Sequence, residues 1–544
     1  MKGISSYHER EHSPDEYLRT SSNKEGSVLK KEKLIFIVLV LFGAALGVRW
    51  IAIIQTQVIA NDAILYIKAA KLYSEGAYAE GFNAFPRSTF PLFIAFTQRF
   101  VGDWVRAGQW VCTFFGALAV IPFYFLARRI FSEKIAIVSS IFYIVCPSLV
   151  QNSAEVLRDV PFIFFYIAAL WIGYEGICEK RAWMVGLAGF FILLCASLKD
   201  YGLMLFVSLL LFLCWFVIKR QITVRKALIL CSAFLASAII ILTLFGLVLD
   251  YRRYNMHAPV VLRAKGALTG MTHQRAAMSK LEDEIERSEL STQGKRLLDL
   301  AIHHRFALYF FNIISKTVNA FNIILFVLFI FGLMKRRLVP YRMDEFLLFA
   351  IYATYIPLFL IFISSFVYLQ TKNTFPLLVP SLIWSGVGFE EFIERSKRLM
   401  KKCPLALKEW GFKRVNLLIL ILIIIIMLSV GLAPKRRDKL ELREIGLWLK
   451  NNGYSNSIIF GGDKLARLAF YAESEFIPLP KGTYEDIIRF ARERKVSLLV
   501  IDKGAMDRLS PHFFEKVTSK DLQPIDITGI KASKYPILVF RIID

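Results

Sequence analysis

The sequence predicts a polytopic α-helical membrane protein of about eleven spans, amino terminus inside and carboxyl terminus outside, ending in a small α/β domain. Three observations carry this reading. Of 544 residues, 56% are hydrophobic and 47 are Phe, with a mean hydropathy of +0.49, a composition that soluble domains rarely reach. Charged residues, 21% of the chain, sit in clumps between apolar runs long enough to cross a bilayer. The basic clumps fall on alternate connections, which sets the orientation.

A span needs about 20 mostly apolar residues. Such runs lie near 34–59, 105–127, 134–151, 160–178, 183–198, 201–218, 227–249, 317–334, 345–367, 373–390 and 415–433. The tenth, "TFPLLVPSLIWSGVGF", is the least regular, with two prolines and two glycines. The even-numbered connections carry "ARRIFSEK", "CEKRAW", "KRQITVRK", "MKRRLVPYR" and "ERSKRLMKKCPLALKEWGFKR"; the short odd-numbered ones are nearly free of such clusters. The net charge of +24 is thereby assigned to membrane topology, and nucleic acid is not expected as a partner. The seven cysteines (112, 146, 178, 195, 214, 231, 403) avoid the large outer segments and form no CxxC pair. Neither a disulfide framework nor a zinc site is expected from them. Residues 1–33 read as a disordered cytoplasmic tail, too long and too acidic for a signal peptide.

Residues 34–433 then form the transmembrane domain, with outer loops over 60–104 and 250–316 and a short one at "QNSAEVLRDV". Residues 434–544 alternate helix and strand patterns: "KLELREIGLWLKN", "SIIF", "DKLARLAFYA", "TYEDIIRFARER", "VSLLVID" and "YPILVFRI". No catalytic motif stands out there, and Gly461-Gly462-Asp463 is too short to make a phosphate loop.

The first loop opens with "ANDAILYIKAAKLYSEGAY". As a helix, it puts Asp62, Tyr66, Ala69 and Tyr73 on one face, with Lys68, Lys71 and Glu75 opposite. It would lie in the interface plane, charged face to water. Two readings of Asp62 stand together: a helix N-cap, or an inward-facing base. In the short loop, Glu155 and Asp159 are four apart, so a helix there would put both on one face. Asp159 before Pro161 also makes an ordinary helix start, and Arg158 an ordinary snorkelling cation.

Taken together, these loops resemble the GT-C glycosyltransferases, closest to the protein O-mannosyltransferase and aminoarabinose transferase branch. The resemblance rests on Asp62 followed by Tyr66, Ala69 or Ala70, Leu72, Gly76 and Tyr78. It continues in "FPRSTFPLFI" with Pro91-Leu92, where the family has a double proline, and in "NSAEVLRDVPF" and "LKDYGLML". It extends to "TKNTFPLLVP", where Lys372-Asn373 stands for the family's Arg-Tyr. It implies a polyprenyl- or dolichyl-phosphate-sugar donor, a protein, lipid or glycan acceptor, and inverting transfer with Asp62 as base. Asp159 is the second catalytic acid that it implies. Substrate contacts are expected from Tyr66, Arg87, Glu155, Arg158, Lys199, Asp200 and Lys372, because transfer from phosphate needs cations on the leaving group. No cofactor is expected, and no divalent metal, since neither short loop carries a DxD. His257, His273, His303 and His304 are poorly spaced for one metal face. The competing classes are a transporter or flippase of lipid-linked sugars, and a ligase that uses a pyrophosphate-linked lipid. Against the first, no repeat relates the two halves, and charge is largely absent from span centres. The second draws on "YRRYNMHAP" at 251–259.

Overall fold

Most of the apolar runs become helices, and their order sets up the site. The computed structural model describes residues 14–85, 88–248, 291–335, 343–366, 369–400, 409–480, 482–503, 506, 513–517, 520–527 and 537–543. Helix α1 (Pro14–Gln55) is the first span. Its backbone is helical over residues 14–33 as well, the described part of the stretch read from sequence as a disordered cytoplasmic tail. The first loop folds into α2 (Asn61–Ser74), α3 (Tyr78–Ala84) and α4 (Phe90–Val101), the last with Pro91 in its first turn. Then come α5 (Trp104–Leu118), α6 (Val120–Ile130), α7 (Glu133–Val145) and α8 (Pro147–Ser153). The α7–α8 bend of 53° falls at Pro147, which can neither donate nor fit inside a continuous helix. The bundle continues through α9 (Asp159–Cys178), α10 (Ala182–Leu198), α11 (Met204–Ile218) and α12 (Val224–Val248). Its second part holds α13 (Thr292–His303), α14 (Arg305–Phe321), α15 (Ile323–Lys335), α16 (Phe346–Phe366), α17 (Phe375–Met400) and α18 (Glu409–Gly431).

Six of the described helices are long and apolar enough to cross a membrane, or up to eight if each of two bent pairs is one span. The eleven runs are therefore not eleven equivalent spans. The run at 183–198 becomes the 17-residue α10. The run at 373–390 becomes the first part of α17, whose later turns carry Glu390, Glu391, Glu394, Arg395 and Arg398.

Charge separates the two ends of the bundle. The basic connections meet one another through Lys33–Glu133 (2.9 Å), Arg129–Glu175 (3.4 Å), Lys134–Glu390 (3.4 Å) and Lys335–Glu391 (3.5 Å). The odd-numbered connections gather at the opposite end, and there the carboxylates of the first two loops find their partners.

After α18 comes an α/β domain with α19 (Leu440–Asn451), α20 (Ala466–Tyr471) and α21 (Tyr484–Glu493). Its strands are β1 (Ile458–Gly461), β2 (Glu475–Pro478), β3 (Leu498–Asp502), β4 (Leu522–Pro524) and β5 (Ile537–Ile542), in the sheet order β2-β1-β3-β5-β4. β1 runs parallel to β2 and β3, while β5 is antiparallel to β3 and β4. Strands β2 and β4 are absent from the sequence reading. Both are short edges ending in Pro, and neither has the continuous buried run that marks β3.

Candidate functional site

Asp62 sits in the first turn of α2, but it does not cap the helix. Ala60 holds the cap position, and no side chain accepts a capping bond there. The Asp62 carboxylate turns instead to the segment before α17, where Lys372 Nζ donates to Oδ2 at 2.7 Å. The helical phase places the rest of α2: Lys68 and Lys71 are exposed, while Tyr66 is buried. Tyr66 packs edge-on between Phe85 (4.7 Å) and Phe90 (5.1 Å), so it lines the floor beneath Asp62 and presents little surface to a substrate.

The second loop is held by one face of α5. Thr113 Oγ1 donates to Ser153 O (3.2 Å), Gln109 Nε2 to Ala154 O (3.1 Å) and Cys112 Sγ to Leu157 O (3.2 Å). The approach is so close that a Cβ on Gly108 would lie 2.5 Å from Val156 Cγ1, and one on Gly116 2.6 Å from Ser153 Oγ. Only glycine fits at these two positions. From the other side, Arg49 of α1, buried and set over the Tyr143 ring, donates to Ser153 Oγ at 3.2 Å. Residues 153–157 thus form a rigid shelf, and Glu155, Arg158 and Asp159 project from it.

Each of the three has a different fate. Asp159 is 1% exposed and forms an ion pair with Lys199, which also donates to Asn373 Oδ1 (3.2 Å). Lys372 and Asn373, the dipeptide that departs from the family pattern, therefore hold Asp62 and Lys199 respectively. The Arg158 guanidinium lies 5.0 Å over the Phe85 ring, and among the described residues no carboxylate pairs with it. Glu155 is met by two cations that the sequence reading did not consider. Arg436 closes a fork on it, Nη1 to Oε1 at 2.6 Å and Nη2 to Oε2 at 3.0 Å, with Lys435 Nζ 3.5 Å from Oε1. The signal in the sequence was the basic run Lys435-Arg436-Arg437 just past an odd-numbered span, where few cations are expected. Asp200 is exposed at the start of a 3₁₀ turn, so the Lys199-Asp200 pair is split between interior and surface. Arg87 lies outside the described residues.

Electrostatics follow the pairing. Burial would raise the Asp62 carboxyl, but the hydrogen bond and charge of Lys372, with smaller help from Arg158 and Lys199, hold it below the ordinary carboxylate range. Burial would lower Lys372; Asp159 and the bond to Asp62 outweigh it and raise the ammonium above its usual value. Asp62, Glu155 and Asp159 thus meet Lys372, Lys199, Lys435 and Arg436 in one cluster, and within it Arg158 pairs with no carboxylate among the described residues. A cleft of ≈ 1150 Å³ lies on the other face of α2, bordered by Lys68, Lys71 and Arg106 and by Arg443 and Lys450 of the C-terminal domain. Asp62 is not on its wall.

Among the described residues no three His, Cys, Asp or Glu side chains converge as metal ligands. His303 and His304 end α13 and are exposed. His257, His273 and the stretch "YRRYNMHAP" lie outside the described residues.

Residues 89–245, which contain the α5 face, the whole second loop and Lys199, match the family of dolichyl-phosphate-mannose-protein mannosyltransferases. No curated protein matches the sequence. Among solved structures, ArnT from Cupriavidus metallidurans bound to undecaprenyl phosphate superimposes with a TM-score of 0.53 at 11% identity, over 93% of this chain and 97% of that one. The archaeal oligosaccharyltransferase AglB from Archaeoglobus fulgidus, in complex with an inhibitory peptide and a dolichol-phosphate, gives 0.50 at 11% identity over 88% and 70%. The chain has the GT-C fold of membrane glycosyltransferases, which makes it a multi-pass membrane protein.

Proposed function

We propose that this GT-C-fold protein transfers a sugar from a polyprenyl- or dolichyl-phosphate donor to an acceptor hydroxyl at the extracytoplasmic face of the membrane. The observation that carries the reading is the cluster itself: Asp62 tethered to Lys372, beside an Arg158 that forms no ion pair with a carboxylate among the described residues. In that cluster the donor phosphate is taken by Arg158, which offers two parallel donors, and by Lys372 as a point charge. Phosphate then competes with Asp62 for Lys372. As the lysine turns to the phosphate, the carboxylate loses the partner that depresses its basicity, so binding the donor arms the base.

The displacement is a single inverting step. The acceptor oxygen attacks the anomeric carbon while its proton passes to Asp62; the carbon–oxygen bond to phosphate breaks, and the lipid phosphate leaves with the electron pair. Arg158 and Lys372 stabilise the charge that develops on that leaving group. Asp159 is placed for holding rather than reacting: it is buried, paired, and keeps Lys199 in place. Lys199 in turn holds Asn373 beside Lys372.

The sidedness rests on the basic clusters of the even-numbered connections, whose described members pair at Lys33–Glu133, Arg129–Glu175 and Lys134–Glu390, away from Asp62. The test is direct. Membranes containing the protein are incubated with a panel of labelled polyprenyl-phosphate sugars, and the label is followed. One sugar should move to an acceptor fraction, and Asp62→Asn should cut transfer by roughly 10²–10⁴-fold while donor binding persists. Label that crosses the membrane but stays on the lipid for every sugar would point to a flippase instead.

A further inference from the structure

The C-terminal domain touches the site at two places. One is the junction with α18, where Lys435 and Arg436 meet Glu155. The second is Tyr471, at the end of α20: its hydroxyl accepts from Ile59 N–H at 3.0 Å and lies 3.4 Å from Gln57 O. Ile59 is three residues before Asp62, in the link between α1 and α2; Glu155 is three before Arg158. The domain therefore grips the backbone just upstream of both functional loops.

The junction grip is specific in its geometry. Glu155 is 2% exposed, so its charge must be compensated, and the α5 shelf supplies only backbone contacts there. Arg436 adopts a left-handed backbone (φ 59, ψ 34), a conformation that non-glycine residues take only where surroundings enforce it. The turn brings the guanidinium back onto Glu155 through one hydrogen bond, Nη2 to Oε2 at 3.0 Å, and a second close charge contact, Nη1 to Oε1 at 2.6 Å. Lys435 completes the cluster and is close enough to Lys372 for the two charges to repel. At the other grip, Tyr471 is half-buried, and its hydroxyl meets a backbone amide of a segment that has neither helix nor strand partners.

We infer that the C-terminal domain is a positioning part of the transfer site: Arg436, through Glu155, and Tyr471, through Ile59, set the second loop and the Asp62 helix against each other. Neither residue touches the reacting atoms. Their effect is on how well Arg158 and Lys372 are placed relative to Asp62, and misplacement by about 1 Å costs on the order of 100-fold in rate. The rate consequence rests on the transfer reading above; the mechanical consequence does not.

The experiment uses the full chain in phosphatidylcholine nanodiscs. Arg436→Met removes the fork, Arg436→Lys keeps the charge, Tyr471→Phe removes one hydroxyl, and Glu155→Arg/Arg436→Glu inverts the pair. Amide hydrogen exchange is read over residues 57–63 and 152–160, with residues 376–388 of α17 as the internal control for folding. Arg436→Met should raise exchange at 152–160 and Tyr471→Phe at 57–63, each by about tenfold or more, with the control segment unchanged. Arg436→Lys should restore part of the protection, and the inverted pair more of it than either single change. In the transfer assay, the same variants should lower kcat with little change in KM for the donor. Unchanged exchange at both loops in an active protein would overturn the inference. Raised exchange in a protein that transfers no sugar would keep it and overturn the transfer reading instead.

Discussion

Asp62 and Asp159 occupy similar positions, each an acid in the first turn of a helix at the outer end of the bundle. Their surroundings differ completely. The Asp62 side chain is 48% exposed and faces one lysine across 2.7 Å; that of Asp159 is 1% exposed and locked to Lys199 beneath the aromatic floor. An accessible carboxylate with a displaceable partner suits proton transfer. A buried one with a fixed partner suits architecture. Burial, which the two local sequences do not distinguish, sets the two apart, and on the proposed reading it separates a reacting group from a holding one.

The comparison breaks most visibly at Lys199. Lys199→Met leaves Asp159 buried and unpaired, a loss of about 3–5 kcal/mol. Thermal unfolding in detergent should show it, while Asp62→Asn should shift the same curve by no more than about 1 kcal/mol, as expected for a part-exposed pair. Equal melting of the two variants would erase the distinction.

A smaller effect sharpens the Asp62 side. Its folded pKa is depressed and that of Lys372 raised, so the pair contributes fully between their ordinary values. It is lost as pH falls through the lowered Asp62 value or rises through the raised Lys372 value. Lys372→Met removes the main lowering influence and leaves burial, which raises the carboxyl. The acid limb of the transfer profile should therefore move to higher pH, together with weaker donor binding. An acid limb that stays in place would mean that Asp62 is not the group being titrated.

The smallest effect belongs to the far face of α2. Lys68→Gln and Lys71→Gln should change donor KM by less than about twofold, because both ammonium groups are exposed and point away from Asp62. A loss of tenfold or more would move anion binding into the ≈ 1150 Å³ cleft on that face.

Much of the arrangement is legible in the chain. Hydrophobic run length dictates the membrane helices, because lipid leaves the backbone no other way to satisfy its hydrogen bonds. The alternation of basic clusters separates the two ends of the bundle. Helical phase puts Tyr66 inside and Lys68 and Lys71 outside, since a 3.6-residue period leaves little choice once one face is buried. Alternating patterns mark the C-terminal α/β domain, including β3 and β5.

Other features are decided only by tertiary packing. Asp62 reads as a good helix cap until Lys372, 310 residues away, takes its carboxylate. Lys435 and Arg436 belong to a basic run at the end of a span, and only the left-handed turn at Arg436 folds them onto Glu155, 281 residues earlier. The close passage of α5 gives Gly108, Cys112 and Gly116 their purpose, as the wall that holds the second loop. Periodicity and charge asymmetry are local properties, and the sequence determines them by itself. Which cation neutralises which carboxylate depends on the distance between connections separated by hundreds of residues, and only the packed bundle sets that distance.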